Sequence, residues 1–250
     1  MTNDRISQAA DLLLGARKNG QPLEALPAAL VPRDVAGAYA VQHRVTQALG
    51  AIGGWKTAPA KDGVAFNWAP IPASGVFADG AEIAFEKFPR AALELEIGLV
   101  LGSDLPPRAE PYDLDAVSAA IVEMRVCLEL FGSRFADPDA RSALERLADA
   151  QNAAGVVIGT GPANWRDIDL AATELSLDYA GERHVARGGN ALVPLLEACT
   201  ALANGTAPLG GLRAGQVIIT GARIGPIPAK APGPVHGAIA PVGTVGANFI

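Results

Sequence analysis

Residues 91–101 read Ala-Ala-Leu-Glu-Leu-Glu-Ile-Gly-Leu-Val-Leu, an apolar run interrupted only by Glu94 and Glu96. Such a run fits a buried β-strand. Side chains alternate between the two faces of a strand, so residues i and i+2 send both carboxylates out of one side, a few ångströms apart. Two bare anions there repel. A strand this apolar keeps them only with a bound cation between them, with a Lys or Arg partner, or with one carboxylate protonated. The chain must therefore fold around a buried acidic pair.

Half of the 250 residues are hydrophobic, which is enough for one large domain with a real core. With 18% charged residues, 28 glycines and 19 prolines, the composition suggests a compact, loop-rich body and not a disordered chain. A net charge of −6, a pI near 5.1 and no dense Lys/Arg cluster exclude a nucleic-acid partner. Cys127 and Cys199 lie in apolar surroundings with no zinc or redox spacing and read as buried free thiols. The first apolar cluster, Leu12 to Leu14, is too short for a signal-peptide core, and no run reaches the length of a membrane span. The expectation is a soluble, cytoplasmic protein with no membrane partner.

Residues 1–50 read as an N-terminal helical segment and 51–250 as a β-rich body. Ile6, Ala9, Ala10, Leu13 and Leu14 recur at helical spacing, and Val35, Ala38, Val41, Val45 and Leu49 form a second stripe that ends at Gly50. The body is predicted to hold strands near 53–57, 82–87, 92–102, 125–131, 153–159, 173–180, 184–187 and 216–220, with further short strands in the tail. Predicted helices span 113–123, a stretch starting after Asp137 as N-cap with Pro138 first, and 191–203 with Asn190 as N-cap. Residues 179–183 look like a hairpin connection.

Glu129 interrupts another apolar strand, Arg125-Val126-Cys127-Leu128-Glu129-Leu130-Phe131. Three lone glutamates on two apolar strands suit an all-oxygen cage for Mg²⁺ or Mn²⁺. The alternative is an ordinary buried ion pair with Arg125, Arg134 or Lys56. Lys56 follows Gly53-Gly54-Trp55 on a short strand. Beside a dication its pKa falls, so that it moves protons near neutrality; otherwise it simply neutralises the acids.

Taken together these residues resemble the 2-keto-4-pentenoate hydratases of the fumarylacetoacetate hydrolase superfamily, with the related 2-oxohept-3-ene-1,7-dioate hydratases and 4-oxalocrotonate decarboxylases. The resemblance covers nearly the whole chain, through Ala38-Tyr39-Ala40-Val41-Gln42, Gly54-Trp55-Lys56, residues 94–106, Leu128-Glu129 with Ser133-Arg134, Leu147-Ala148-Asp149 and residues 212–221. The glutamate pair followed by Leu-Gly-x-Asp-Leu-Pro is its most specific part.

The resemblance implies an α+β fold, a mixed β-sandwich roll with short peripheral helices, and a homo-oligomer. It implies that Glu94, Glu96 and Glu129 bind Mg²⁺ or Mn²⁺. The implied substrate is a small 2-oxo acid, in which dienol-to-keto conversion makes the distant double bond electrophilic so that water adds to it. Lys56 then shuttles the proton or holds the enolate oxygen, and Thr220 hydrogen-bonds the substrate carboxylate. Decarboxylation of a 2-oxo-enedioate, C–C hydrolysis of a diketo acid and a non-catalytic scaffold role remain the alternatives.

Two stretches depart from the family pattern. Thr57-Ala58-Pro59-Ala60 replaces the usual Gly-Leu-Thr-like loop, and Asp149-Ala150-Gln151-Asn152 replaces Asp-Asn-x-Ser. Asp149 serves either the catalytic site or a helix end. Arg134 orients Glu129, contacts an anionic substrate or makes a plain salt bridge. His43, His184 and His236 are scattered and read as structural or solvated, and Asp79 before Gly80 reads as a turn residue.

Overall fold

A computed structural model describes residues 1–59, 67–88 and 91–250. Ala60, the end of the altered loop after Lys56, lies outside the described residues. The chain opens with two helices, α1 (Asn3–Asn19) and α2 (Val35–Leu49). Gly20 closes α1 in the left-handed conformation, and the Asp34 carboxylate caps α2 by accepting from the Gly37 N–H at 2.7 Å. Their apolar faces join Phe135, Leu147 and Ala148 in one buried cluster, so the helical segment is seated on the body.

The strands that follow are β1 (Ile52–Thr57), β2 (Trp68–Pro72), β3 (Val76–Ala78), β4 (Ala81–Ile83) and β5 (Ala92–Leu101). Helix α3 (Leu114–Ala120) runs directly into β6 (Ile121–Phe131). Next come α4 (Ala143–Ala148), β7 (Ala153–Ile158), β8 (Glu174–Tyr179), β9 (Glu182–Arg187) and α5 (Leu192–Gly205). The chain closes with β10 (Val217–Ile219), β11 (Ile224–Pro228), β12 (Gly233–Ala240) and β13 (Gly243–Phe249). Among the described residues these form two mixed sheets. One runs β2-β1-β10-β5-β6-β7-β3, with β11 also pairing β5, and the other runs β4-β13-β12-β8-β9.

The long antiparallel β5–β6 pair organises the molecule, with Glu94 opposite Glu129 and Glu96 opposite Cys127. Leu93, Leu95, Ile97 and Leu99 point the other way, and all four are fully buried in the main core with Leu175, Leu177, Val235 and Val245 of the second sheet. Each such side chain contributes about 1.5–3 kcal/mol on burial. The strand's alternation thus puts the apolar core on one side of the large sheet and the acids on the other.

Two edge strands escape the sequence patterns. β2 carries Pro70 and Pro72, tolerated because it forms the outer edge, and β3 is only three residues long at the opposite edge. The stretch predicted as a strand at 82–87 is β4 followed by a 3₁₀ turn over Phe85–Lys87. Asp137 starts no helix: its side chain accepts from the N–H groups of Asp139 and Ala140 in a turn, and α4 begins later. Its cap is Ser142, in a reciprocal capping box with Glu145. Asn190 is likewise not the cap of α5, whose N-cap position is Ala191, with no side-chain cap bond. The 179–183 connection is a two-residue hairpin turn, with Ala180 and Gly181 both at positive φ.

Candidate metal centre

Glu94 and Glu96 leave β5 on the same face, and the register of β6 sets Glu129 beside them. Glu96 and Glu129 are fully buried and Glu94 nearly so. One carboxylate oxygen from each lies within 4.8 Å of the others. Lys56 arrives from β1, where Lys56 pairs with Ile219 of β10. Its neighbour Trp55 is fully buried on the opposite face, with Nε1 donating to Gln216 Oε1 at 2.8 Å, and this fixes the direction of Lys56. Gly54 is required for that approach, because a Cβ there would come within 2.9 Å of the Val217 carbonyl oxygen.

The Lys56 ammonium donates to Glu129 Oε1 at 2.8 Å and lies 3.8 Å from Glu94 Oε2. It also sits 4.9 Å from the centre of the Phe131 ring. Burial pulls its pKa down, but the three carboxylates, led by Glu129, outweigh this and raise it. Burial drives each carboxylate up to about 7 against the pull of Lys56, and the charge of a neighbouring glutamate pushes each the same way as burial. Glu96 Oε2 accepts from the Gly221 N–H at 2.7 Å, yet Glu96 Oε1 and Glu129 Oε2 are buried without a hydrogen-bond partner.

Three acids against one lysine, with two orphaned buried oxygens, form a donor set that fits a hard divalent cation. Glu94, Glu96 and Glu129 are the residues able to hold it.

The remaining expected site residues fall into two groups around this cluster. The Thr220 hydroxyl donates to Ile97 O at 2.8 Å, so in this geometry it anchors the turn that carries the Gly221 N–H. Arg134 is buried, and its guanidinium donates to the Asp149 carboxylate and carbonyl, to Gly132 O and to Ala153 O. Asp149 also accepts from the Arg134 N–H at 2.9 Å and from Ser133 Oγ at 3.1 Å, and it is the C-cap of α4. Both thus sit in one intrachain network behind the cluster.

Ala150, Gln151 and Asn152 follow at φ values of 50, 50 and 63°, three left-handed residues in succession without a glycine. Ala150 and Gln151 each cost about 1–2 kcal/mol in that conformation, and Asn152 less. The Arg134–Asp149 network holds the turn, whose Gln151 carbonyl lies 3.5 Å from Lys56 Nζ. Gln151 and the Gly221 N–H were not legible as site groups; only Asn152, a residue that tolerates positive φ, signals the turn. Asp79 is a structural turn acid whose carboxylate accepts from the Gly246 N–H at 2.7 Å.

Two mixed sheets with a buried acidic cluster on the face of the larger one opposite the main core define the class, a fumarylacetoacetate-hydrolase-like α+β fold. A 4-oxalocrotonate decarboxylase from Pseudomonas putida G7, solved with magnesium and adipate, has the same fold: TM-score 0.84 at 23% identity, covering 100% of this chain and 99% of its own. A 5-carboxymethyl-2-hydroxymuconate delta-isomerase from Mycobacterium smegmatis is more distant, with a TM-score of 0.53 at 20% identity over 80% of each chain. No family model matches the sequence. A 2-keto-4-pentenoate hydratase of Paraburkholderia phymatum is 30% identical over 264 residues, spanning 99% of this chain and 98% of its own. A second, from Burkholderia vietnamiensis, is 36% identical over 182 residues, 71% of this chain and 67% of its own. The chain belongs to the 2-keto-4-pentenoate hydratase family. Among the described residues, no helix is long and apolar enough to cross a membrane.

Proposed function

We propose that this protein is a Mg²⁺- or Mn²⁺-dependent hydro-lyase that adds water to a small 2-oxo-enoate of the 2-keto-4-pentenoate type. The observation that carries the reading is the cluster of three buried carboxylates that a single lysine leaves undercompensated. Likeness in sequence to hydratases along almost the whole chain supports it.

Glu94, Glu96 and Glu129 would hold the ion, which when bound would supply positive charge to stabilise the negative charge that develops on the substrate's C2 oxygen as dienol and keto forms interconvert. Lys56 Nζ takes up or returns the proton that moves between the enol oxygen and the far carbon. The resulting 2-oxo-3-enoate is electrophilic at C4, where water adds. The Gly221 N–H fixes one oxygen of Glu96, and the Gln151 carbonyl gives the ammonium a second acceptor that orients it. Asp149 and Arg134 serve as positioning residues, because their contacts end on the turn that carries Gln151. Thr220 holds the Gly221 turn by donating to Ile97 O, which leaves it no proton for a substrate carboxylate. Homo-oligomeric assembly follows the family habit.

The test is hydration of enzymatically generated 2-hydroxypenta-2,4-dienoate, followed by loss of dienol absorbance, with CO₂ release from an enedioate measured in parallel. The expected result is Mg²⁺- or Mn²⁺-dependent hydration that chelation lowers by at least ~10²-fold. CO₂ release without hydration would assign the decarboxylase branch. Absence of calorimetric binding of either ion would favour a scaffold.

A further inference from the structure

Arg17, near the end of α1, is half-buried and has no acid of its own. It donates from Nη2 to Ala153 O at 3.1 Å, and no carboxylate among the described residues lies within 4.0 Å of it. Burial, then the like charge of Arg134, lower its pKa to about 9 against the pull of Asp149, so it remains charged at neutral pH. Lys87, exposed at the end of the 3₁₀ turn after β4, also has no carboxylate within that distance among the described residues. Both line one cleft with Arg134, Ser133, Gly132 and Phe88.

The cleft measures about 70 Å³. On this measure a water needs about 10–15 Å³, so the cleft has room for a carboxylate or phosphate head. Among the described residues only Asp149 makes an ion pair with the cleft's cations, and Arg134 already engages both its carboxylate oxygens. Arg17 and Lys87 are left as surplus cations around a small opening, and guanidinium forks in such settings recognise carboxylate and phosphate oxygens.

We propose that this cleft is an anion subsite, separate from the acidic cluster, that takes a carboxylate or phosphate group between Arg17 and Lys87. Two sources share that chemistry: the far carboxylate of a substrate held at the cluster, or a free anion. Gly132 lies three residues beyond Glu129 and Ala91 three before Glu94, so the cleft sits ~10 Å along the strands from the cluster. Its Arg134 wall leads through Asp149 to the turn that contacts Lys56, so an anion there would steady that turn.

Calorimetric titration of the full-length, metal-free protein with inorganic phosphate and with glutarate tests the subsite. Saturable one-site binding is expected, about tenfold weaker in Arg17→Gln and weaker again in Lys87→Glu. The second variant alters an exposed side chain, so it keeps the fold even if the first does not. No saturation at ~10 mM, or binding unchanged in Lys87→Glu, would overturn the proposal.

With Mg²⁺ present, 2-oxoadipate and 2-oxohexanoate separate the sources, since they differ only at the far end. If the cleft holds a substrate carboxylate, which rests on the proposed function, 2-oxoadipate binds at least ~10-fold tighter and Lys87→Glu closes the gap. If the anion is free, the two acids bind alike and phosphate binds alongside either. Failure of both 2-oxo acids to bind would count against the metal-centre reading alone, and the phosphate titration would still decide the cleft.

Discussion

Glu94 and Glu129 face each other directly across β5 and β6, and Lys56 stands off-centre between them, 3.8 Å from the first and 2.8 Å from the second. Like charges at such cross-strand positions destabilise a sheet. One ammonium leaning toward Glu129 leaves Glu94 and Glu96 undercompensated, and this imbalance is what the proposed cation would offset.

Replacing Glu96 by Gln removes one ligand charge at constant size. Mn²⁺ affinity is expected to fall at least ~10-fold by calorimetry, with turnover falling in parallel. The metal-free variant should melt higher than its parent, because one of three crowded buried charges is gone. Equal Mn²⁺ binding by the two proteins would contradict the assignment of Glu96.

Lys56→Gln separates ion binding from proton transfer. Taking a positive charge away from the three acids should leave Mn²⁺ binding intact or tighter, while turnover drops by ~10²–10⁴-fold. A loss of Mn²⁺ binding equal to the loss of turnover would make Lys56 a structural residue.

The carboxylates sit at about 7 in the folded chain against an ordinary value of 4.5. Between these values the folded chain keeps protons that the unfolded chain has released, so their contribution to stability falls as pH rises across that window. Lys56, with its raised pKa, acts only at alkaline pH, where the folded chain keeps a proton that the unfolded chain loses. The melting-temperature gain of metal-free Glu96→Gln over its parent should therefore be larger at pH 8 than at pH 5. Mg²⁺ should likewise stabilise the parent more at pH 8, since bound carboxylates must be deprotonated. An equal gain at both pH values would refute the raised carboxylates.

Asp149→Ala strands a buried guanidinium. Urea unfolding should show a loss of about 3–5 kcal/mol, the usual cost of removing one partner of a buried pair. Asp149→Asn keeps the shape and one acceptor oxygen, though its NH₂ then faces a donor, and should lose less than the alanine variant. A loss below ~1 kcal/mol in the alanine variant would show that the Arg134 network does not hold the 150–152 turn.

The acidic cluster was readable because carboxylates inside apolar strands are so unfavourable that two sequence positions and an alternation rule suffice to pair them. Glu129 followed for the same reason. What stayed hidden depends on long-range geometry. β2 and β3 carry prolines or too few residues to show a period, and they exist because neighbouring strands supply their partners. The start of α4 was written as Ser142-Ala143-Leu144-Glu145, but the Asp137-Pro138 pair gave a stronger local start signal and in fact forms a turn. The left-handed Ala150 and Gln151 have no local signal, since tertiary contacts through Arg134 enforce a backbone that neither residue favours alone.

Because β5 turns its leucines toward the main core and its glutamates away from it, the main core and the acidic cluster occupy opposite sides of a single ribbon. Selection can therefore re-tune what the acidic side accepts without loosening the greasy side, as long as no substitution shifts the strand by one residue. A slip of that size would exchange the two sides at once, ruining both together.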